Sequence, residues 1–198
     1  MGKREQNDAE KIARIKNAVR KLVSQKGYEA VTVRDICASA DVTIASFYRK
    51  YRSKDEVLLE QIKEQNSFFR SETGKLREFS DARMQLERFV EIYCDYWQMR
   101  GNDLARTVNK LYLNNPGGLY LEYDLTPPQI LIDIFQNGQD NGFFRKDLPA
   151  AGMAKTVSII LKGYCFDWSK TGGNYDFKAT VTSDMAIITK TFYTEQNK

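Results

Sequence analysis

Apolar residues in this chain return every third or fourth position, and strand-like alternation is almost missing. Ile12, Ile15, Val19, Leu22 and Val23 form one such stripe, and Leu86, Phe89, Val90, Tyr93 and Trp97 another. This period puts the apolar side chains on one face of a helix. Only short pieces such as Gly118–Leu121 are ambiguous. The expected fold is therefore all-α, with about nine helices set by capping and breaking residues. Gly27 ends the first helix. Thr32, with Asp35 three residues on, opens the second in the pattern of a capping box. Ser53 opens a fourth that runs to about Arg77, and Asp81 and Gly101–Asn102 bracket a fifth. A sixth, from Asp103 to about Leu113, stops at Asn114–Gly118. Thr126-Pro127-Pro128 starts a seventh, because proline is tolerated in a first turn, and Asn141-Gly142 breaks it. Asp147 caps an eighth that ends at Gly172-Gly173, and Asp176 caps the ninth.

Charge is distributed unevenly along the 198 residues. Residues 1–54 hold 13 Lys and Arg against 6 Asp and Glu, an excess of +7, whereas the remainder holds 17 against 20 and carries −3. A basic module on a neutral or acidic body is the electrostatic footprint of a nucleic-acid binder, although a solvated basic tail would give the same count. Histidine is absent, which removes the commonest general base and the commonest metal ligand. The cysteines, Cys37, Cys94 and Cys165, are odd in number, widely spaced and set among apolar residues. They read as buried free thiols of a reducing compartment and offer no zinc framework. No run of eighteen apolar residues and no apolar leader occurs, so a cytoplasmic protein that does not enter the membrane is expected. Gly2 lacks the downstream Ser or Thr of a myristoylation signal.

Residues 32–50, TVRDICASADVTIASFYRK, have the pattern of a helix-turn-helix. Ile36, Ala40, Val42 and Phe47 form the inner face of two short helices, and Ala38 and Ala40 allow close approach. Asp41 stands at the turn, where a residue tolerant of the left-handed conformation is needed. Thr43 caps the second, recognition helix. In such a motif that helix enters the major groove N-terminus first. The candidate DNA contacts are Arg34, Thr43, Ile44, Ala45, Ser46, Tyr48, Arg49, Lys50 and Lys54. Ile44 and Ala45 suit thymine methyls, Ser46 and Arg34 a base edge or phosphate, and Tyr48 and Lys50 phosphate oxygens. Lys54, at the start of the fourth helix, would hold a phosphate together with that helix's amides. An ordinary helical hairpin with a basic face has the same spacing.

Residues 12–58 resemble the DNA-binding domain of the tetracycline-repressor-like (TetR) family. The matching elements are Ile15, Ala18, Leu22, Val23 and Gly27; Thr32–Cys37; Asp41-Val42-Thr43; Phe47-Tyr48; Tyr51; and Lys54–Leu58. Asp41, Ala45 and Cys37 depart from the family's frequent Gly, Gly and Ala, so base preference does not transfer. The resemblance implies a helix-turn-helix domain over residues 1–54 and a helical regulatory and dimerisation domain over 55–198. It also implies a homodimer on a palindromic operator in double-stranded DNA, usually a repressor, released by a small-molecule effector. The resemblance implies neither an enzyme nor a cofactor.

The second part is rich in aromatic residues. Phe68, Phe89, Tyr93, Tyr96, Trp97, Phe135, Tyr164 and Trp168 are the candidate ligand contacts, suited to a small apolar or aromatic effector, although aromatic residues at helical spacing also build plain core. Glu91, Asp95 and Asp167 lie near these stripes and read as surface carboxylates. Ala151, Ala154, Val157, Ser158, Leu161, Cys165 and Trp168 on the eighth helix, with Val181, Met185, Ile188 and Phe192 on the ninth, form the expected dimer face; the alternative is that they cap the monomer's core. A helical small-molecule-binding protein without regulatory DNA binding is the competing functional class.

Overall fold

The computed structural model describes residues 3–114 and 126–195. Among the described residues the secondary structure is helical, apart from one isolated bridge between Phe144 and Tyr193. The helices are α1 (Lys3–Lys26), α2 (Val33–Ala40), α3 (Ile44–Lys50), α4 (Lys54–Thr73), α5 (Ala82–Arg100), α6 (Asn102–Asn114), α7 (Thr126–Asp140), α8 (Ala150–Lys170) and α9 (Phe177–Ile188). Short 3-10 turns follow α4 at Gly74–Glu78 and α9 at Thr189–Phe192. The ambiguous Gly118–Leu121 piece and the residues expected to stop α6 beyond Asn114 lie outside the described residues.

The chain divides into two compact units, Met1–Gln65 and Asn66–Lys198. The first thus reaches eleven residues beyond the expected 54/55 boundary and takes in the start of α4. Its core is built from Ile15, Ala18, Val19 and Val23 of α1, Ile36, Cys37 and Ala40 of α2, Phe47 of α3, and Val57 and Leu58 of α4, all buried. The helix ends follow the capping chemistry. Gly27 closes α1 at φ +76°, where a side chain would be strained, with its N–H on the Val23 carbonyl. Thr32 and Asp35 cap α2 reciprocally. Ser53 Oγ accepts from the Glu56 amide at the start of α4.

In the second unit α5 is apolar nearly all round, with Leu86, Phe89, Val90, Ile92, Tyr93, Cys94, Tyr96 and Trp97 buried. Such a helix must be central, and α6, α7 and α9 pack against it while α8 packs on α6, α7 and α9. Asp81 caps α5 and Asp176 caps α9 through their side chains. Two boundaries differ from expectation. α4 gives way to a 3-10 turn at Gly74 and does not run on to Arg77. The N-cap of α8 is Pro149, because the Asp147 carboxylate is taken by the Arg145 guanidinium.

The expected dimer stripe is mostly this unit's own core. Ala154, Val157, Leu161, Cys165 and Trp168 of α8 are buried, as are Val181, Met185 and Phe192. The large apolar residues that α8 and α9 leave exposed are Ile159, Phe166 and Ile187. All three cysteines are free and buried. Burial pushes the Cys94 and Cys165 thiols up to about 12, far from the thiolate form that reacts.

Candidate nucleic-acid interface and ligand core

α2 and α3 form the helix-turn-helix, and each local feature has a cause in the sequence. The turn residue Asp41 is left-handed, at φ 52° and ψ 55°, with its amide on the Ala38 carbonyl. Its carboxylate accepts from Arg14 of α1 at 3.3 Å, which ties the turn to the first helix. Val42 N–H reaches the Cys37 carbonyl at 3.0 Å and completes the tight exit from α2. Thr43 then caps α3, its hydroxyl accepting from the Ser46 amide at 3.1 Å. Phe47, fully buried, faces inward and packs against the Tyr51 ring.

With Phe47 turned in, the opposite face of α3 is free. Thr43, Ile44, Ala45, Tyr48, Arg49 and Lys50 are exposed and Ser46 is half-buried; Arg34 is exposed on α2. Ile44 and Tyr48, one helical turn apart, keep 45% and 54% of their surface in solvent. Two large side chains in water on a basic, seven-residue helix form a surface suited to meeting bases and sugars.

Lys54 is placed differently from its neighbours. It is half-buried, and its ammonium donates to the carbonyls of Tyr28 at 3.0 Å and Val31 at 2.9 Å while lying 4.2 Å from the Tyr28 ring centre. It ties the loop between α1 and α2 to the start of α4. A lysine has three N–H bonds, so one remains for a phosphate. Sequence reasoning missed this structural task, and Tyr28 so close to the motif was the available hint. It also missed Glu60, which accepts from the Tyr51 hydroxyl and pairs with Lys16 at 3.1 Å. Burial raises the Glu60 carboxyl, but these two partners pull it below its ordinary value on balance.

The eight ligand candidates separate into groups. Phe68, Phe89, Tyr93, Tyr96 and Trp97 belong to one cluster joined through Phe69, with ring centres 5.2 to 6.4 Å apart. Phe135 belongs to another, with Phe144 and Phe192. Trp168 stacks on Phe177 at 5.0 Å. Tyr164 donates to Asp184 at 2.7 Å across α8 and α9, and its hydroxyl is pushed up to about 12, by burial first and then by that carboxylate. These rings fill space. Two polar atoms do not fit a plain core: the indole N–H groups of Trp97 and Trp168 are buried and find no acceptor among the described residues. A buried donor without a partner is costly unless something else supplies the acceptor. Glu91, Asp95 and Asp167 are indeed not core: Glu91 pairs with Arg88, Asp95 with Lys178 at 2.6 Å, and Asp167 is exposed. Among the described residues no cluster of His, Cys, Asp and Glu could hold a metal ion, and no helix is long and apolar enough to cross a membrane.

Residues 15–60 match the model of the bacterial regulatory proteins of the tetR family. No curated protein matches the chain. Solved structures match over nearly its whole length at low identity. A TetR transcription regulator from Haloarcula marismortui is 16% identical with a TM-score of 0.80, covering 94% of this chain and all of that one. The regulator FadR from Bacillus subtilis, in complex with stearoyl-CoA, is 20% identical with a TM-score of 0.76, over 89% and 96% of the two chains. A transcriptional regulator from Saccharomonospora viridis, in complex with choline, is 22% identical with a TM-score of 0.73, over 92% and 96%. The helix-turn-helix, its family match and the all-helical fold agree: residues 15–60 form a DNA-binding domain of the tetR type, on a body that shares the fold of these regulators.

Proposed function

We propose that the protein is a homodimeric, non-enzymatic cytoplasmic repressor that binds a palindromic operator through α3 and is released by a small molecule held in the second unit. The observation that carries this reading is α3 itself, capped by Thr43, anchored by Phe47, and presenting Ile44, Ala45, Ser46, Tyr48, Arg49 and Lys50 outward beside Arg34. Stearoyl-CoA in one similar structure and choline in another support a ligand-binding role for the helical body. The orphan indole donors of Trp97 and Trp168 support contact with an acceptor on that ligand. α4, which begins in the first unit and ends in the second, supplies a continuous connection along the chain. A ligand shifts DNA affinity only by its differential affinity for the two states, typically about 1–3 kcal/mol.

Selection of bound sequences from a random duplex pool tests the reading. Enrichment of a palindrome with half-sites about one helical turn apart is expected. Ser46→Ala and Arg34→Ala should each cost about 1–3 kcal/mol on that site and relax one base position. A pool from which nothing is enriched, with no salt-dependent affinity for duplex DNA, leaves only a helical ligand-binding protein.

A further inference from the structure

A concavity in the Asn66–Lys198 unit lies apart from the aromatic cluster. It is an open pocket of about 600 Å³, walled by the last turn of α4, the 3-10 turn after it, the entry to α5 and one face of α7. None of the eight ring residues expected to meet a ligand lines it. We propose that this pocket is an anion site, in which Arg70 and Arg77 receive the carboxylate or phosphate group of a small amphipathic molecule.

The other arginines of this unit are already engaged. Arg83 is held by Asp81, Arg88 by Glu91 and Arg145 by Asp147, while Arg106 bonds Asn102 and the Ser169 carbonyl and Arg100 lies over the Tyr96 ring. Among the described residues, no hydrogen bond or ion pair engages Arg70 or Arg77, and both line the same pocket. Among the nearby acids Glu72 pairs with Lys75, and Glu78 at the end of the 3-10 turn does not line the pocket. Asp81 is spent on Arg83 and on capping α5. Asp133, the one carboxylate in the lining, accepts from Gln129 at 2.9 Å. Two guanidinium groups therefore face one carboxylate, an excess of positive charge at a concave surface, where charge–charge attraction is stronger than on a convex one. Guanidinium forks match carboxylate and phosphate oxygens geometrically.

The rest of the wall suits an amphipathic body. Ile130 and Ile134 of α7, with Leu76 of the 3-10 turn, supply apolar surface below the charged rim, and Asn137 supplies an amide. The entrance is built firmly: Gln85, buried on α5, donates to the Phe79 carbonyl at 2.6 Å. Since similar structures hold a thioester of coenzyme A in one case and a cation in another, the charge of a ligand must be read from this chain's own lining, and here it is basic. Arg70 belongs to α4, so an occupant touches the helix that begins in the DNA-binding unit. That regulatory consequence rests on the proposed function; the binding itself does not.

The test is calorimetry on the full-length protein with octanoate, octyl phosphate and, as neutral control, octanol. Either anion should bind more tightly than octanol, and its affinity should fall as salt is raised. The tighter of the two identifies carboxylate or phosphate as the preferred group. In Arg70→Gln/Arg77→Gln, affinity for the anions should fall about ten-fold, the loss expected when charge-assisted hydrogen bonds are removed. Octanol should be unaffected, and the circular dichroism and melting temperature of the apo protein should hold. Anions that bind no better than octanol, or that keep their affinity in the double variant, overturn the proposal. Binding to selected duplex DNA, measured alongside without any probe, keeps failure of the DNA reading separate from failure of the pocket.

Discussion

A residue in the first unit can hold the fold, meet DNA or do both, and Lys54 shows how to separate the two. Its ammonium holds two backbone carbonyls, so Lys54→Ala should lower the melting temperature, and if its third N–H meets a phosphate the slope of log K against log salt should also fall by about one. Lys50, exposed at the end of α3, should reduce the slope by the same amount in Lys50→Ala with the melting temperature unchanged. A Lys54 variant that is less stable but keeps the wild-type slope assigns the residue to folding alone. Asp35 gives a second residue-level prediction. The Thr32 hydroxyl, then Lys26 and the Thr32 amide, hold its carboxyl well below the usual carboxylate range. A depressed folded-state pKa adds stability above the unfolded value of about 3.9, and that stability is lost as pH falls through the folded value. Asp35→Asn should therefore lower the melting temperature at pH 7, and the difference from wild type should shrink as pH falls below about 4. A difference that stays constant down to pH 2 excludes the carboxylate charge as the cause.

Elements were legible in this sequence where a cap or a breaker announced them. Thr32, Thr43, Asp81 and Asp176 cap the helices they were expected to cap, and Gly27, Gly101 and Gly142 end them at positive φ. Asp147 did not cap α8, because a neighbouring arginine competes for the same carboxylate, and sequence order cannot rank the two partners. The 3-10 turn at Gly74–Glu78 was hidden for another reason: Arg70 and Arg77, seven apart, read as one face of a continuing helix. That spacing was also the one available signal for the basic pocket. Another feature has no period at all. Gly138 on α7 lies where a Cβ would come within 2.1 Å of the Phe144 ring and 2.9 Å of the Ala82 Cβ. The Phe144 ring, fully buried, needs that vacancy to pack against Phe135. Gly138→Ala gains helix propensity but overpacks this site, so the expected net result is a loss of about 1–3 kcal/mol in stability by denaturant titration. A variant as stable as wild type means that α7 and Phe144 separate at little cost.

At the scale of the whole molecule, the aromatic stripe and the dimer stripe share one ambiguity, since either could be plain core. Periodicity shows that a face is apolar but not whether it meets the same chain or another one. The face of α8 bearing Val157, Leu161, Cys165 and Trp168 is interior to its own unit. The exposed apolar side chains lie on the other side: Ile159 at 58%, Phe166 at 46%, and Ile187 of α9 at 68%. Ile159 and Phe166 are seven residues apart and share one face of α8, with Gly163 between them, where an added Cβ would meet nothing. We propose this side of α8 and α9 as the subunit interface, which a twofold assembly would set against its own copy. Reading a palindrome requires two copies held together, so disrupting this face should cost operator affinity without altering α3. The expected outcome for Phe166→Glu is a monomer by sedimentation velocity, circular dichroism like wild type, and a steep loss of affinity for the full palindrome. Affinity for an isolated half-site should be nearly unchanged. A Phe166→Glu protein that sediments as a dimer places the interface elsewhere on the second unit.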